Sequence, residues 1–227
     1  MLDLPIYIYI VFFIAVFFTV VFFYFASGKS KVVLVVSLVW LAITGVLGQI
    51  GFYENTSASP PRFLFLPVPA FLLIIIIFLS KQGREFIDRL SLEWLTILQS
   101  VRILVELVIF WWFIQQLVPK LMTFEGRNFD ILAGMSAPVI WYLCFNQKRF
   151  GKKLLLVWNF VCLGLVLNIV FYAVLSSEVP FQKFAFDQPN RAVLYFPFIW
   201  LPGYIVPVVI FSHLASIRKL VRGGILI

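Results

Sequence analysis

Residues 6–26 read IYIYIVFFIAVFFTVVFFYFA, an apolar run that contains no charged side chain. A helix needs roughly 20 mostly apolar residues to cross the hydrocarbon core of a bilayer, and this run is long enough. It is about twice the usual length of the apolar part of a secretory signal peptide, and no Lys or Arg precedes it. We therefore expect a retained first membrane span.

The rest of the chain has the same apolar character. Hydrophobic residues make up 63% of the 227 residues and charged residues only 12%, whereas soluble proteins carry about 25% charged residues. Six further runs are apolar over about the length of a span and do not alternate in polarity. The sequence predicts an all-α polytopic membrane protein, one transmembrane domain over residues 1–227. Its seven spans are expected at about 4–26, 32–53, 63–80, 94–117, 129–147, 153–175 and 194–214.

Basic residues predict the orientation of these spans. The connectors on one side carry twelve Lys and Arg residues, and those on the other side carry five. Because the richer side is usually cytoplasmic, we expect the N-terminus outside and the C-terminus inside, in a plasma or inner membrane. The net charge of +8 comes from basic residues in the short connectors between spans, which is a pattern of membrane topology. We therefore expect membrane lipids as partners and no nucleic acid. Two basic segments, 84–92 and 216–222, are expected to lie along the inner surface.

Two segments of the chain resemble each other. Residues 45–53, GVLGQIGFY, align without gaps on residues 164–172, GLVLNIVFY, with identical Gly, Ile, Phe and Tyr. In this alignment Gln49 is opposite Asn168. A chance match remains the alternative, because apolar residues dominate both segments.

If the match is real, residues 1–92 and 118–227 are parallel repeats joined by the fourth span, residues 93–117. Such repeats are related by an axis along the membrane normal, and transporters bind substrate between them. The three-plus-one-plus-three plan resembles that of the SWEET sugar transporters. The resemblance is one of plan only, because the third span has no Asn at a substrate-binding position.

The fourth span carries the strongest functional signal. Gln99, Arg102 and Glu106 fall within an arc of about 60° on a helix and therefore share one face. A charged side chain at the bilayer centre costs at least ~2.5–3.5 kcal/mol, so this face is expected to point into the bundle. Arg102 and Glu106 are also spaced to pair with each other. The face either lines a transport pathway or is a buried ion pair that only fixes helix packing.

Other polar residues extend this hypothesis. We expect Gln49 and Asn168 to line the outer half of a pathway. In the external loop, Glu125, Arg127 and Asp130 would form an outer vestibule, unless this loop is simply solvated. Asn128 or Asp130 is expected to cap the fifth span. His213, at the inner end of the seventh span, is expected to be an interfacial or packing residue.

The sequence contains no metal or catalytic motif. Cys144 and Cys162 lie in apolar runs without neighbouring ligands, which indicates packing and predicts neither a metal nor a cofactor. Motifs for a zinc hydrolase, a nucleophile elbow and a phosphate-binding loop are missing. Faces of small residues could bring helices together, within one chain or in a homo-oligomer. They are Gly45, Gly48 and Gly51 in the second span, and Ala133, Gly134 and Ala137 in the fifth.

Three functions remain open on this basis. The leading hypothesis is a small transporter or channel for a solute, an ion or a proton, with its site on the fourth span. Arg102 would bind an anionic group, and Glu106 would balance it or carry a proton. The second is a non-transporting receptor, sensor or assembly protein that binds a lipid or small ligand. The third and least favoured is an intramembrane enzyme with Glu106 or Asp130 as acid or base.

Overall fold

The computed structural model describes residues 2–56, 58, 60–147 and 151–223. Over these residues the regular structure is helical, with one isolated β-bridge and no strand, which confirms the all-α prediction. Lys148 and Arg149, which contribute to the predicted orientation, lie outside the described residues. The α-helices are α1 (Ile6–Ala26), α2 (Lys31–Gln49), α3 (Pro67–Leu79), α4 (Lys81–Arg89), α5 (Leu92–Leu98), α6 (Val101–Ile114), α7 (Ile131–Trp141), α8 (Lys152–Leu175) and α9 (Val206–Val221).

Six helical segments of the described chain are long and apolar enough to cross a membrane. They correspond to six of the predicted spans and indicate an integral membrane protein. The segments are Ile6–Ala26, Lys31–Gln49, Arg62–Leu79, Leu92–Ile114, Lys152–Leu175 and Leu201–Val221.

The two ends of the bundle differ in character. One end, which we call the loop face, is formed by residues 115–130 and 176–200. At the other end, α1 meets α2, α3 meets α4, and α9 ends; we call it the basic face. The Ser91 N–H donates to the Ala26 carbonyl at 2.8 Å, and Lys219 donates to the carbonyls of Asp88 and Leu90. These bonds tie α1, α4, α5 and α9 together at the basic face.

The predicted fifth span is shorter than a full crossing. It consists of eleven α-helical residues in α7 and five π-helical residues, Tyr142–Asn146. At 1.5 Å per residue this segment is roughly 24 Å long, against roughly 30 Å for the hydrocarbon core. Residues 115–130 are irregular apart from the short 3-10 turn Lys120–Met122.

The seventh predicted span is displaced along the chain. Its helix starts at Leu201, with the π-helical segment Leu201–Ile205, and ends at Val221. The prediction of residues 194–214 began too early, because residues before 201 form the loop face. Proline disfavours a helical conformation in the residue before it, and Pro197 lies in this stretch. The basic segment at residues 216–222, expected to continue this helix along the inner surface, does continue α9 as far as Val221.

Two tryptophans join α2 to the start of the last helical segment. Pro207 has no N–H to donate to the Gly203 carbonyl, and the Trp40 indole donates to that carbonyl at 2.7 Å. The Trp200 indole donates in return to the Leu41 carbonyl at 3.0 Å. Gly45 faces Trp200 so closely that an added Cβ would lie 3.2 Å from its ring. The small-residue face of α2 therefore packs closely, as predicted.

Gly134 allows α7 to approach the backbone of α6. An added Cβ at Gly134 would lie 2.9 Å from the backbone nitrogen of Ile103 and 3.3 Å from the carbonyl carbon of Arg102. Asp130 precedes Gly134 by about one helical turn. The close approach therefore places Asp130 beside Arg102.

We expect Gly134→Ala to lower the free energy of unfolding by about 1–3 kcal/mol, because the new methyl group meets backbone that cannot move aside. Gly164→Ala in α8 is the matched control, since a Cβ there meets nothing within 4 Å. The control should be neutral or stabilising by up to ~1 kcal/mol. Denaturant unfolding in detergent, followed by circular dichroism, measures both. Equal stabilities would contradict the close approach.

Candidate functional site

A buried ion pair joins α6 to the residue before α7. The side chains of Arg102 and Asp130 are only 2% and 7% exposed. Arg102 Nε donates to Asp130 Oδ2 at 2.6 Å, and Nη2 contacts Oδ1, which gives the bidentate geometry that suits a guanidinium. The expected pairing of Arg102 with Glu106 is therefore wrong. An Arg that precedes Glu by four residues is poorly oriented to pair with it, whereas Asp130 faces Arg102 from another segment.

Two further donors of Arg102 also have partners. Nη1 lies 3.1 Å from His213 Nε2, and Nη2 donates to the Cys162 carbonyl at 3.3 Å. Because a guanidinium only donates, His213 Nε2 must accept, and its proton lies on Nδ1. That nitrogen donates to Asn159 Oδ1 at 2.9 Å, and Asn159 Nδ2 donates to the Leu155 carbonyl at 2.8 Å. The hydrogen bonds therefore fix His213 as a neutral, fully buried side chain rather than an interfacial one.

Glu106 lies one turn further along α6 and is 1% exposed. Asn128 Nδ2 lies 2.8 and 2.7 Å from its two carboxyl oxygens and donates also to the Met122 carbonyl at 2.9 Å. Among the residues that the structure describes, no cation is within 4.0 Å of Glu106. Asp130 neutralises Arg102, so Glu106 is left without a counter-charge.

The depth of this cluster follows from the helix geometry. Arg102 is ten residues from the start of α5 at Leu92, or roughly 15 Å, which is about half the hydrocarbon thickness. α6 continues for about another 18 Å to Ile114. Residues 115–130 must then return to the level of Arg102 to place Asp130 there. Because this segment folds back into the bundle, we call it the re-entrant loop; α7 continues from its end toward the basic face.

A re-entrant loop is stable in a bilayer only if protein groups satisfy its backbone. Gln188 donates to the carbonyls of Phe113 and Val118 at 3.2 and 2.7 Å. The Arg191 N–H donates to the Leu117 carbonyl at 2.9 Å. Asn128 Oδ1 accepts from the backbone N–H of Asp130 at 3.0 Å. Residues 176–200 thus hold one end of the loop, and Asn128 holds the other.

The capping prediction is only partly correct. Asp130 occupies the N-cap position of α7, but its side chain makes no capping hydrogen bond. That side chain is committed to Arg102, and the Asn128 carboxamide accepts the Asp130 N–H in its place.

A cavity of about 100 Å³ lies between this cluster and the loop face. Its walls are mainly apolar side chains from α3, α6, α8 and residues 193–209. Glu106, Arg102 and Asp130 line one end, and Ser177 and Asn190 line the end near the loop face. The volume suits a few water molecules or one small solute.

The other predicted pathway residues lie elsewhere. Gln99 is 1% exposed at the bend between α5 and α6, and its Oε1 has no hydrogen-bond partner among the described residues. Gln49 is exposed at the end of α2. Asn168 is half-buried and donates to the Arg127 carbonyl at 2.8 Å. Neither Gln49 nor Asn168 lines the cavity.

The residues of the predicted outer vestibule are separated. Glu125 is exposed and lies 3.9 Å from Lys120. Arg127 is exposed and donates to the Tyr172 hydroxyl at 3.1 Å. Asp130 is buried, because the chain turns into the bundle after Arg127. Its assignment to a surface vestibule is therefore wrong.

Sequence reasoning missed three members of the cluster. The sequence predicts only a helix cap for Asn128, and only an interfacial or packing role for His213. Asn159 lies inside the apolar run of α8, and the cost of a polar side chain at that depth was a usable signal. In the described part of the chain, no three His, Cys, Asp or Glu side chains form a group that could hold a metal.

We expect Asp130→Ala to destabilise the protein by about 3–5 kcal/mol, because it leaves the Arg102 charge buried and unpaired. The double variant Arg102→Met with Asp130→Leu should recover most of that loss, since it removes both charges. Glu178→Gln, at the exposed Arg191–Glu178 pair, is the control and should cost less than ~1 kcal/mol. Denaturant unfolding of the four proteins in detergent tests this. A double variant as unstable as the single one would contradict the assigned pair.

Comparison with known proteins identifies a family for this chain. No curated protein and no solved structure matches it. The model of a family described as a domain of unknown function, DUF8737, matches residues 62–221. The matched region contains the whole cluster from Gln99 to His213. The chain therefore belongs to the DUF8737 family.

Proposed function

We propose that the protein is a small membrane transporter in which Glu106 binds a proton or a small cation. One observation carries this proposal: a buried carboxyl group without a counter-charge lines the inner end of a cavity. An ionised carboxylate at that depth is costly. A proton or a cation that arrives through the cavity would remove the cost. Ionisable groups in such positions serve ion and proton pathways in many membrane proteins.

Arg102 has a positioning role in this mechanism. Four of its five N–H donors have partners and Asp130 balances its charge, so it has at most one N–H to offer an anionic solute. We therefore do not propose Arg102 as a residue that binds an anionic group. Its pair with Asp130 holds the re-entrant loop, and the loop holds Asn128 against Glu106.

The same network separates the cavity from the basic face. The rings of His213 and Trp158 are 5.8 Å apart and nearly edge-on, and the Trp158 indole donates to Ser136 Oγ at 2.9 Å. This packing lies on the basic-face side of Arg102. The described state is accordingly closed toward the basic face.

Helix interruptions around the site support movement between two states. The backbone changes to 3-10 hydrogen bonds at Gln99 and Ser100, between α5 and α6. A π-helical segment with Pro202 precedes α9, and α7 contains Pro138. Broken helices at a midplane site are a common feature of secondary transporters. Each interruption gives the bundle a place to bend.

For the topology, we propose that α7 and residues 115–130 together make the fifth of seven crossings. The Trp141 indole donates to Glu93 at 3.0 Å, and Asp130 pairs with Arg102. These two contacts set α7 antiparallel to α5 and α6 across the half of the bundle near the basic face. The N-terminus would be outside and the C-terminus in the cytoplasm of a plasma or inner membrane. The repeat of residues 1–92 and 118–227 stays a prediction.

Cysteine accessibility tests this topology. Glu125→Cys should react with an impermeant maleimide on intact cells, whereas Arg222→Cys should react only after permeabilisation. The native cysteines are buried and should give little background. If α7 did not complete a crossing, residues 125 and 222 would lie on the same side. Labelling of both variants from outside would therefore refute the seven-span topology.

Flux measurements test the role of Glu106. In proteoliposomes with a pH gradient or a cation gradient, the native protein should move protons or a small cation. Glu106→Gln keeps the size of the side chain and one acceptor oxygen for Asn128 but cannot ionise, so flux should fall at least tenfold. Glu125→Gln, an exposed acid near the loop face, is the matched control and should behave as native. Equal flux in all three proteins would refute the mechanism.

The apolar cavity walls favour a second candidate, a non-transporting receptor, sensor or assembly protein. A cavity of this composition suits a small apolar ligand, and the four partnered donors of Arg102 suit a rigid bundle. This candidate predicts no flux under any gradient. It also predicts that Glu106→Gln changes stability alone.

A further inference from the structure

A second and larger cavity lies on the opposite side of the last helical segment. It is a groove of about 450 Å³ between α2, α3 and α9, with Phe86 of α4 at one end. Its walls are apolar and include Val33, Val36 and Trp40 of α2, Leu73 of α3 and Phe211 of α9. The volume is within the roughly 300–1,000 Å³ range of sites for small molecules.

The groove lies within one half of the membrane. Along α2 its lining runs from Val32, next to the basic face, to Trp40, a distance of roughly 12 Å. Half of the hydrocarbon core is roughly 15 Å thick. The Trp40 indole and the Gly203 carbonyl, joined at 2.7 Å, close the deep end. The groove thus matches the depth of one leaflet.

Two exposed lysines lie next to segments that line the shallow end of the groove. Lys31 begins α2 directly before Val32, and Lys81 begins α4. Both side chains are exposed, and no acidic side chain of the described residues lies within 4.0 Å of either ammonium. The nearby Asp88 is 3.5 Å from Arg218. The opening is therefore positively charged.

We propose that this groove binds one anionic phospholipid from the leaflet at the basic face. One acyl chain lies along α2 against Val36 and Leu73, and the phosphate binds between Lys31 and Lys81. Two unpaired ammonium groups beside an apolar slot complement a headgroup with net negative charge. The site does not depend on Glu106 or on transport.

A helix of a partner protein fits the groove less well. A helix with its side chains is about 10 Å across. The groove extends only about 12 Å before Trp40 and Gly203 close it, so a spanning helix of roughly 30 Å would lie in it over less than half of its length. A zwitterionic lipid would fit the slot, but the cationic part of its headgroup would be repelled by the two lysine ammonium groups. The anionic phospholipid satisfies both the shape and the charge.

Lipid retention in native mass spectrometry tests the proposal. The purified full chain is mixed with equal amounts of phosphatidylglycerol and phosphatidylcholine that carry the same acyl chains. We expect one phosphatidylglycerol to be retained at least fivefold over phosphatidylcholine. Val36→Trp, which fills the groove, should reduce this retention at least fivefold. Leu38→Trp is the matched control, since it is exposed on the opposite side of α2, and it should retain the lipid.

The charge requirement is tested separately. The double variant Lys31→Gln with Lys81→Gln should lose the preference for phosphatidylglycerol and keep any phosphatidylcholine. The matched control, Lys120→Gln with Lys183→Gln at the loop face, should keep the preference. Equal retention of both lipids by the native chain would overturn the proposal. So would equal effects of Val36→Trp and Leu38→Trp, which would indicate a general lipid annulus.

Discussion

A guanidinium in the middle of a helical bundle cannot be left without partners, and Arg102 takes its partners from three other segments. Asp130 precedes α7, His213 comes from α9, and the carbonyl of Cys162 comes from α8. To bring Asp130 there, the chain must leave α6 at Ile114 and return about halfway through the bundle. The re-entrant loop at residues 115–130 and the shortened α7 follow from this requirement. Gly134 makes the return possible, because any larger residue would keep α7 away from the backbone of α6.

The cluster divides into a satisfied part and an unsatisfied part. Arg102 and Asp130 have opposite charges, and neutral His213 adds a hydrogen bond to Arg102. This is the condition under which buried polar groups stabilise a unique arrangement. Glu106 has hydrogen bonds from Asn128 but no counter-charge within the described residues. This asymmetry, at the end of a cavity, is the basis for a proton or cation site. If Glu106 were paired with Arg102, the carboxylate would have a counter-charge, and the cluster would support only a packing role.

The π-helical segment Leu201–Ile205 separates the two cavities of the bundle. Leu201, Pro202 and Ile205 line the cavity that contains Glu106, whereas Gly203 and Tyr204 line the groove on the other side. A movement of this segment would change both volumes at once. The hydrogen bond from Trp40 to Gly203 ties the segment to α2, so the lipid groove and the candidate ion site share one structural element.

Apolar runs in the sequence are enough to predict an all-α membrane architecture, because the length of each run must match the bilayer. The sequence also predicted that Gln99, Arg102 and Glu106 point inward, where the structure buries them, because their exposure to lipid is too costly.

The sequence did not determine the partner of Arg102, the depth of Asp130 or the burial of His213. These depend on which segments meet across the bundle, and periodicity along one helix carries no information about that. Hydropathy also predicted a full helical crossing at residues 129–147, since a shortened apolar helix and a complete span have similar composition. The place where residues 115–130 enter the bundle depends on tertiary contacts, because the ion pair that holds the loop forms between residues 28 positions apart.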